Sequence, residues 1–493
     1  MDLLNDTRRY FTKPHVRPWA LSSPILVLLI CLPLLRPLRH PDPRDVSADE
    51  TARLATVQAL VEQGTLALDD TLKHPPGQTI RSFDGKRYSD QPPVMAVLLS
   101  GSYWIMYRYG LSLEENAILV PYLLTIIAVT LPVAGAAGLV YRMGRLFELK
   151  RPIRAGLGAA VVLGSGLLSY GVVLNAHAPA AVLVMCAGAC FTHLAISKTP
   201  VSSVWLIIAG MCAALAATLE PAAAVFAVLL AAVPLAMRWR PTMKIGGVLL
   251  YVIGMTPPLV LHAVLTVPIT GDLLPGMFHP ELAEVTRAPY RPPLFSAVDD
   301  FDGKFDRGLD GGFQGGFDTV EEELAQSTPP SWWRELLTGT GRVIGALVGA
   351  HGLFSHFPIL IFGVLGVGAI MHRHWPTATK VLAAATVAGA SVVIITFAIA
   401  TPAHTGSMFA ARWFVVFLPM LLFWSGAWVR RRHHPVAWAT AASLLLFSIV
   451  VSLLGATNPF PREGYDRYTA AEALQKLLRP TATVRDETML AGG

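Results

Sequence analysis

Long uncharged runs alternate with short polar and basic segments along most of this chain. Clear examples are residues 117–141, 245–266 and 381–400. Each is about long enough to cross a hydrocarbon layer of roughly 30 Å as a helix. Because lipid offers the backbone no hydrogen-bond partners, helices are the expected spanning structure. The pattern predicts an all-α polytopic membrane protein, a bundle of about 11–13 transmembrane helices with two long extracytoplasmic loops.

Basic residues between these runs predict the orientation of the chain. The predicted spans are 19–35, 116–141, 155–173, 178–197, 201–219, 221–237, 244–266, 345–370, 378–400, 411–429 and 436–455. The basic loops are 142–154, 238–244, 372–380 and 430–432. Lys and Arg favour the cytoplasmic side, so all these loops are placed inside. The short, aromatic-rich stretch 92–109 then lies along the outer interface.

This topology divides the chain into consecutive parts. They are a cytoplasmic N-terminus at 1–18, a helical module at 19–266 with an extracytoplasmic loop at 40–91, a second extracytoplasmic loop at 267–340, C-terminal helices at 341–455, and an extracytoplasmic tail at 456–493. Polar residues at the span ends collect on the extracytoplasmic side. That distribution indicates a site on this side.

Composition supports a membrane protein and argues against a nucleic-acid partner. Of 493 residues, 53% are hydrophobic and only 15% are charged, whereas an ordinary soluble domain has about 25% charged residues. The net charge is +6, but the basic residues follow the loops and no nucleic-acid-reading module accompanies them. The four cysteines lie inside hydrophobic runs without a metal-site cluster, which is typical of small apolar residues in packed helices.

The polar loop after the first span is the first candidate for chemistry. Ser47, followed by Glu50 three residues later, is a capping-box pattern. It predicts a helix over residues 48–63, ended by a glycine and lying on the membrane surface. Ser47 and Glu50 thereby receive structural roles as cap and cap partner. The negative charge of Asp49 suits a helix N-terminus, and Asp49 could also pair with Arg53 four residues later. These explanations are weaker than the one for Glu50, so both a functional and a structural interpretation of Asp49 stay open.

A basic and aromatic segment follows in the same loop. Lys86, Arg87 and Tyr88 could hold a phosphate at the membrane surface, because anionic groups need cationic donors. A solvated loop that touches anionic lipid explains the segment equally well. Gln91 precedes a Pro-Pro pair, which fixes extended backbone and then starts a helix.

Two further candidates lie at the outer ends of later spans. His177 begins one such span and Arg412 another. A lone polar residue at a helix end is most often a cap. Arg412 is costlier to place at the edge of a bilayer, and it is therefore the better functional candidate.

In this order, the features resemble the GT-C superfamily of polytopic glycosyltransferases, in particular its bacterial protein O-mannosyltransferase and aminoarabinose-transferase-like members. The segments that carry the resemblance are Asp49-Glu50-Thr51-Ala52-Arg53, Gln91-Pro92-Pro93, residues 351–358 and Ala411-Arg412-Trp413. The resemblance covers roughly residues 15–430 and implies that residues 19–266 form the seven-helix module of the family.

The resemblance also implies a reaction. A sugar would pass from a polyprenyl-phosphate donor to an acceptor glycan, lipid or protein at the outer face of the cytoplasmic (inner) cell membrane. Asp49 matches the base that takes the acceptor proton, and cations must stabilise the departing phosphate. The family has a lysine where this chain has Gln91, so Lys86, Arg87 or Arg412 would supply that charge. No metal ligand is assigned, and a divalent metal is left open.

Two alternatives to this function remain. A transporter or flippase of lipid-linked glycans would need polar residues along a path through several spans, and the central thirds of most spans here are Ala, Val, Leu and Gly. A GT-C-like membrane protein with altered catalysis would be compatible with Gln91.

Overall fold

The computed structural model describes residues 18–39, 47–68, 79–197, 203–237, 241–279, 282, 331–349, 352–400, 409–410, 412–431, 433–459 and 469–478. The predicted N-terminus up to residue 17 and the end of the predicted tail lie outside these ranges. So does most of the predicted second loop. The boundaries predicted for the parts of the chain therefore stay predictions.

The first half of the described chain is helical apart from one hairpin. Its helices are α1 (Pro18–Leu34), α2 (Arg36–Arg39), α3 (Ala48–Gln58), α4 (Pro93–Arg108), α5 (Leu119–Thr125), α6 (Leu131–Met143), α7 (Arg151–Gly164), α8 (Leu167–Tyr170), α9 (His177–Ile196), α10 (Val204–Leu219), α11 (Ala224–Leu230), α12 (Ala232–Ala236) and α13 (Pro241–Thr270). The hairpin consists of β1 (Thr79–Arg81) and β2 (Arg87–Ser89). Two π-helical turns continue α3 and join α5 to α6, at Ala59–Gln63 and Ile126–Thr130.

The second half contains helices only. They are α14 (Ser331–Val348), α15 (Leu353–His356), α16 (Leu360–Met371), α17 (Thr377–Ala400), α18 (Leu418–Phe423), α19 (Ser425–Val429), α20 (Pro435–Thr457) and α21 (Thr469–Leu478). Short 3₁₀ turns lie at Gly144–Phe147, Pro221–Ala223, Gly276–Phe278 and Arg412–Phe414.

The predicted all-α polytopic class is confirmed. Within the described ranges, six helices are long and apolar enough to cross a membrane, and a bent pair would make a seventh. The six are Pro18–Leu38, Leu119–Phe147, His177–Ile196, Lys244–Thr270, Thr377–Thr396 and Pro435–Thr457. This number is below the predicted 11–13 because several of the predicted spans are short or broken helices.

Two breaks show why these spans are not continuous. The predicted span 155–173 is divided between α7 and α8 at Gly166, whose φ of +79° favours glycine. The ring of Phe357 occupies the space that a Cβ at Gly166 would need. The predicted span 345–370 is also wrong as a single helix, because its two parts meet at 94°.

Helix α3 does not lie on the surface as its apolar stripe predicted. Leu54 and Val57 belong to the main hydrophobic core, and the polar residues Thr51, Arg53 and Thr56 are buried as well. The helix is covered on both faces, because the later part of the chain packs against its polar side. Gly64 ends the π-helical turn with a φ of +71°, where the sequence predicted the stop.

The β-hairpin fixes the segment that follows it. Its strands pair antiparallel, with Ile80 opposite Tyr88. Ile80 is buried against Gly276, where a Cβ would collide with the isoleucine side chain. The N–H of Met277 donates to the carbonyl oxygen of Asp90 at 2.9 Å. These contacts hold residues 90–92 between α3 and the turn that follows α13.

Helices α10 and α13 cross closely through two glycines. A Cβ at Gly210 would overlap the carbonyl of Tyr251, and a Cβ at Gly254 would overlap the carbonyl of Ile207. Close approach through small residues is a common way for membrane helices to pack. Helix α13 then leads directly to the Gly276–Phe278 turn beside Asp90.

Gly254→Ala is therefore expected to destabilise the protein, by about 1–3 kcal/mol for overpacking a tight contact. Gly246→Ala is the matched control, because it lies in the same helix and has nothing within 4 Å of its Cβ position. Thermal unfolding of the purified proteins in detergent measures both. Equal melting temperatures for the two variants would contradict the close crossing.

Candidate active site

The start of α3 separates two adjacent carboxylates. The N–H of Glu50 donates to Ser47 Oγ at 3.1 Å, so Ser47 is the N-cap. Asp49 and Glu50 are both buried, with 6% and 0% exposure. They point to different partners, and this divergence decides their roles.

Glu50 pairs with Arg36 at the end of the first span. Its Oε1 accepts from Arg36 Nη2, and both side chains are buried. Burial raises the pKa of Glu50 above its ordinary value, although Arg36 and Arg53 act in the opposite direction. Within the described chain, Oε2 of Glu50 has no hydrogen-bond partner. The reciprocal cap predicted for Glu50 is therefore replaced by an ion pair, because a buried cation lies within its reach.

Asp49 is held by two residues from distant parts of the chain. Its Oδ2 accepts from Arg412 Nη1 at 2.6 Å, and its Oδ1 accepts from Gln91 Nε2 at 3.2 Å. Arg412 belongs to the 3₁₀ turn that follows α17, and its guanidinium lies 4.7 Å from the centre of the Trp413 ring. The structure thus brings three of the predicted site residues together: Asp49, Gln91 and Arg412.

Gln91 links Asp49 to an arginine that the sequence did not single out. Its Oε1 accepts from Arg53 Nη2 at 3.0 Å, while its Nε2 also donates to Asp90 Oδ1 at 3.0 Å. Arg53 is 3% exposed, and burial lowers its pKa. Asp49, Glu220 and Asp90 oppose that shift. The sequence pattern offered Arg53 only as a partner for Asp49, four residues away on the same helix.

His177 forms a second buried pair with Glu220 on the other side of Asp49. The distance from His177 Nδ1 to Glu220 Oε2 is 2.5 Å. The imidazole meets the rings of Tyr170 and Trp413 edge-on, with centroids 6.0 and 5.6 Å apart. Glu220 follows the last residue of α10, and the fold brings it to His177 at the start of α9.

The other predicted phosphate contacts lie elsewhere. Lys86 is exposed in the turn of the hairpin, where its N–H donates to Asp84 Oδ1 at 3.0 Å. The hydroxyl of Tyr88 donates to Asp84 Oδ2 at 3.0 Å. Arg87 pairs across the hairpin with Arg81. Neither Lys86 nor Arg87 lines the cavities beside Asp49, although Tyr88 lines one of them.

Two small cavities meet at Gln91 and Pro92. The residues that line the first include Asp49, His177, Glu220, Arg412 and Trp413. Arg53, Thr56, Tyr88 and Ser89 are among those that line the second. Gln91 thus forms a shared wall, with Asp49 on one side and Arg53 on the other.

The donor set fits protein cations better than a bound metal ion. Among the described residues, no three His, Cys, Asp or Glu side chains converge as metal ligands. Asp49 is paired with Arg412, and Glu220 with His177. The positive charge beside these carboxylates comes from Arg53 and Arg412.

Comparison with known proteins supports the fold. The crystal structure of the Archaeoglobus fulgidus oligosaccharyltransferase, tethered to an acceptor peptide with an NVT sequon, matches with a TM-score of 0.52 and 13% identity. The match covers 91% of this chain and 56% of that protein, so the chain spans little more than half the length of that relative. A structure of ArnT from Cupriavidus metallidurans in the apo state matches with a TM-score of 0.42 and 14% identity, over 80% of this chain and 57% of that one.

No protein-family model matches the chain, and no curated protein matches it significantly. The fold is similar to that of the Archaeoglobus fulgidus oligosaccharyltransferase, a polytopic helical architecture, which agrees with the fold that the resemblance in sequence implied. At this level of identity, the likeness defines the architecture, while the roles of individual residues rest on the geometry described above.

The Arg36–Glu50 pair gives a prediction about stability. Arg36→Met is expected to cost about 3–5 kcal/mol, because it leaves a buried carboxylate unpaired. The folded-state pKa of Glu50, already raised, should rise further. As pH rises through that pKa, the buried carboxyl ionises and the free energy of unfolding falls. The variant should therefore be less stable at alkaline than at mildly acidic pH.

Unfolding in mixed detergent micelles as a function of pH measures this effect. The double variant Arg36→Met/Glu50→Leu removes both charges and should recover most of the loss. A double variant no more stable than Arg36→Met would show that the pair is not what stabilises this junction.

Proposed function

We propose that this protein transfers a sugar from a polyprenyl-phosphate donor to an acceptor at the extracytoplasmic face of the cytoplasmic (inner) membrane, with Asp49 as the base. One observation carries the proposal: the fold unites Asp49 with Arg412, 363 positions away, and with Gln91 and Arg53 in a buried cluster. Burying one carboxylate together with two arginines carries a desolvation cost even when they are paired, and such clusters are typical of functional sites.

The proposed reaction needs a proton acceptor and a stabilised leaving group. The acceptor oxygen attacks the anomeric carbon of the sugar while its proton passes to a carboxylate oxygen of Asp49. The bond between the anomeric carbon and the phosphate oxygen breaks, and its electron pair leaves with the polyprenyl phosphate. A guanidinium beside that oxygen lowers the barrier, because negative charge grows there during the transfer.

Arg412 and Arg53 are the cations best placed for this role. Both lie beside Asp49, whereas Lys86 is exposed in the hairpin turn. The proposed phosphate contact therefore moves from Lys86 and Arg87 to these arginines. Their planar guanidinium groups suit phosphate, and they keep their charge when buried more readily than a lysine would.

Because Asp49 is paired with Arg412, the donor would also have to separate these two residues before the transfer. A carboxylate that accepts from Arg412 and Gln91 on its two oxygens is a poor base. A donor phosphate competes for the guanidinium of Arg412. By drawing this group away, the phosphate would free Oδ2 of Asp49 for the acceptor proton.

Asp49→Asn is expected to lower the transfer rate by about 10²–10⁴-fold, because the amide cannot take the proton. The assay uses purified protein, radiolabelled polyprenyl-phosphate mannose or aminoarabinose, and membrane extract as the source of acceptors. Asp84→Asn is the control, because it removes one negative charge in the same way but in the exposed turn of the same loop.

Transfer by Asp49→Asn at the wild-type rate would remove Asp49 from the role of base. Movement of the labelled donor across vesicle membranes without any acceptor, together with no transfer, would favour a transporter instead. Binding of donor without transfer or transport would favour a GT-C-like protein with altered catalysis.

The roles of Arg53 and Gln91 can be tested by removing the positive charge at position 53 and introducing one at position 91. Arg53→Met should weaken binding of polyprenyl monophosphate by about 10–100-fold, the usual scale for a charge-assisted hydrogen bond. Gln91→Lys in that background places a cation beside the same wall and should restore at least half of the lost free energy. Lys86→Met is the control and should bind as the wild type does.

Binding is measured by thermophoresis in detergent, with phosphatidylglycerol as a competitor that reports on general anion binding. Unchanged affinity in Arg53→Met, or an equal loss in Lys86→Met, would argue against this cation assignment.

A further inference from the structure

Phe409 and Ala410, which precede Arg412 in the chain, are anchored by residues that do not line the cavities beside Asp49. Phe409 is buried, its N–H donates to the carbonyl oxygen of Pro459 at 3.0 Å, and its own carbonyl accepts from the Tyr170 hydroxyl at 2.5 Å. Its ring packs where a Cβ at Gly455 would stand. The backbone of Phe409, three positions before Arg412, is thus fixed against α8 and the end of α20.

Ala410, two residues before Arg412, has an unusual backbone conformation. Its φ is +54°, in the left-handed region that few residues other than glycine adopt. Such a conformation persists only where the surroundings impose it. The N–H of Ala410 donates to Thr469 Oγ1 at 3.4 Å. Thr469 is the first residue of α21, beyond the last apolar span.

The hydroxyl of Thr469 is itself held by a buried histidine. It lies 2.7 Å from Nε2 of His356, which is fully buried. His356 Nδ1 lies 2.9 Å from the carbonyl oxygen of Gly352. Because a carbonyl can only accept, Nδ1 carries a proton and donates to Gly352, and when the ring is neutral Nε2 accepts from the Thr469 hydroxyl. The hydroxyl oxygen is then oriented to accept from Ala410.

The imidazole supports the same segment by direct packing. The ring of His356 meets the ring of Phe409 edge-on, with centroids 5.6 Å apart. Phe409 and Ala410 are thus held by His356 and Thr469 on one side and by Tyr170 on the other. Tyr170 also contacts His177 of the active site.

We propose that Thr469 and His356 are positioning residues, and that α21 acts through them as a clamp that aims Arg412 at Asp49. Neither residue contacts the cavities beside Asp49. Their effect passes through the backbone of Phe409 and Ala410. The inference rests on the proposed function only where catalysis is measured, because the position of the segment can be followed without a substrate.

The test compares Thr469→Val with Thr469→Ser. Valine keeps the shape of threonine but loses the hydroxyl, whereas serine keeps the hydroxyl. Thr440→Val is the matched control, because it removes a hydroxyl bonded to its own helix in an exposed part of α20. Size-exclusion chromatography and melting temperature first establish that each variant folds.

Hydrogen exchange followed by mass spectrometry provides the first readout. Amide exchange in the peptide that contains residues 409–415 should accelerate about five- to tenfold in Thr469→Val, the scale expected from the loss of one hydrogen bond. Thr469→Ser and Thr440→Val should stay near the wild type. Unchanged exchange in Thr469→Val, or failure of the serine variant to restore it, would overturn the clamp.

Cross-linking gives a second readout that needs no transfer. A short bifunctional thiol reagent should join Asp49→Cys and Arg412→Cys efficiently, and several-fold more slowly when Thr469→Val is added. The single-cysteine variants report any reaction at the native cysteines. An unchanged cross-linking rate would mean that the clamp does not aim residue 412, and would overturn the proposal.

Transfer kinetics separate this proposal from the proposed function. In Thr469→Val, kcat should fall about tenfold or more while the KM for acceptor stays within about twofold, since misplacing a catalytic group mainly affects the reacting state. Wild-type protein without any transfer would defeat the proposed function but leave the exchange and cross-linking results to decide the clamp. Faster exchange with unchanged kcat would overturn the positioning role.

Discussion

The charge of Asp49 is the constraint on which the site depends. A carboxylate with 6% exposure must be compensated by nearby donors or cations. Here Gln91 and Arg412 provide them, and Arg53 lies behind Gln91. To give this one carboxylate its hydrogen-bond partners, three parts of the chain must meet. They are the start of α3, the residues that follow the hairpin, and the 3₁₀ turn before α18.

The ion pair between Arg412 and Asp49 also limits how Asp49 could act in a reaction. In the structure Arg412 holds Asp49, so a base function requires the guanidinium to exchange its carboxylate for another anion. A phosphate is the natural competitor, because two of its oxygens can accept from two N–H groups of the same guanidinium. An uncharged ligand that separated Arg412 from Asp49 would leave both charges without this partner, which is costly where they are largely buried.

The sequence predicts the helical architecture better than it predicts the side-chain contacts. Hydrophobic runs predict a polytopic helical protein, and Ser47 and Gly64 mark the ends of the first-loop helix. The pattern failed where tertiary packing decides: α3 is buried because distant segments cover its polar face, and Gly166 breaks a run that looks continuous. The contacts of Arg53 with Gln91 and of Glu220 with His177 join segments that are far apart in sequence, so no local pattern predicts them.

Gln91 stands where the resemblance in sequence led us to expect a lysine, and its contacts suit an amide. A lysine at this position would bring a third cation next to Arg53 and Arg412, in a place where burial already lowers the pKa of Arg53. An amide instead accepts from Arg53 and donates to Asp49, so it connects a cation and an anion without adding charge. Two guanidinium groups can then lie beside one carboxylate. Gln91 is better explained as the neutral link of an arginine-based site than as the loss of a lysine-based one.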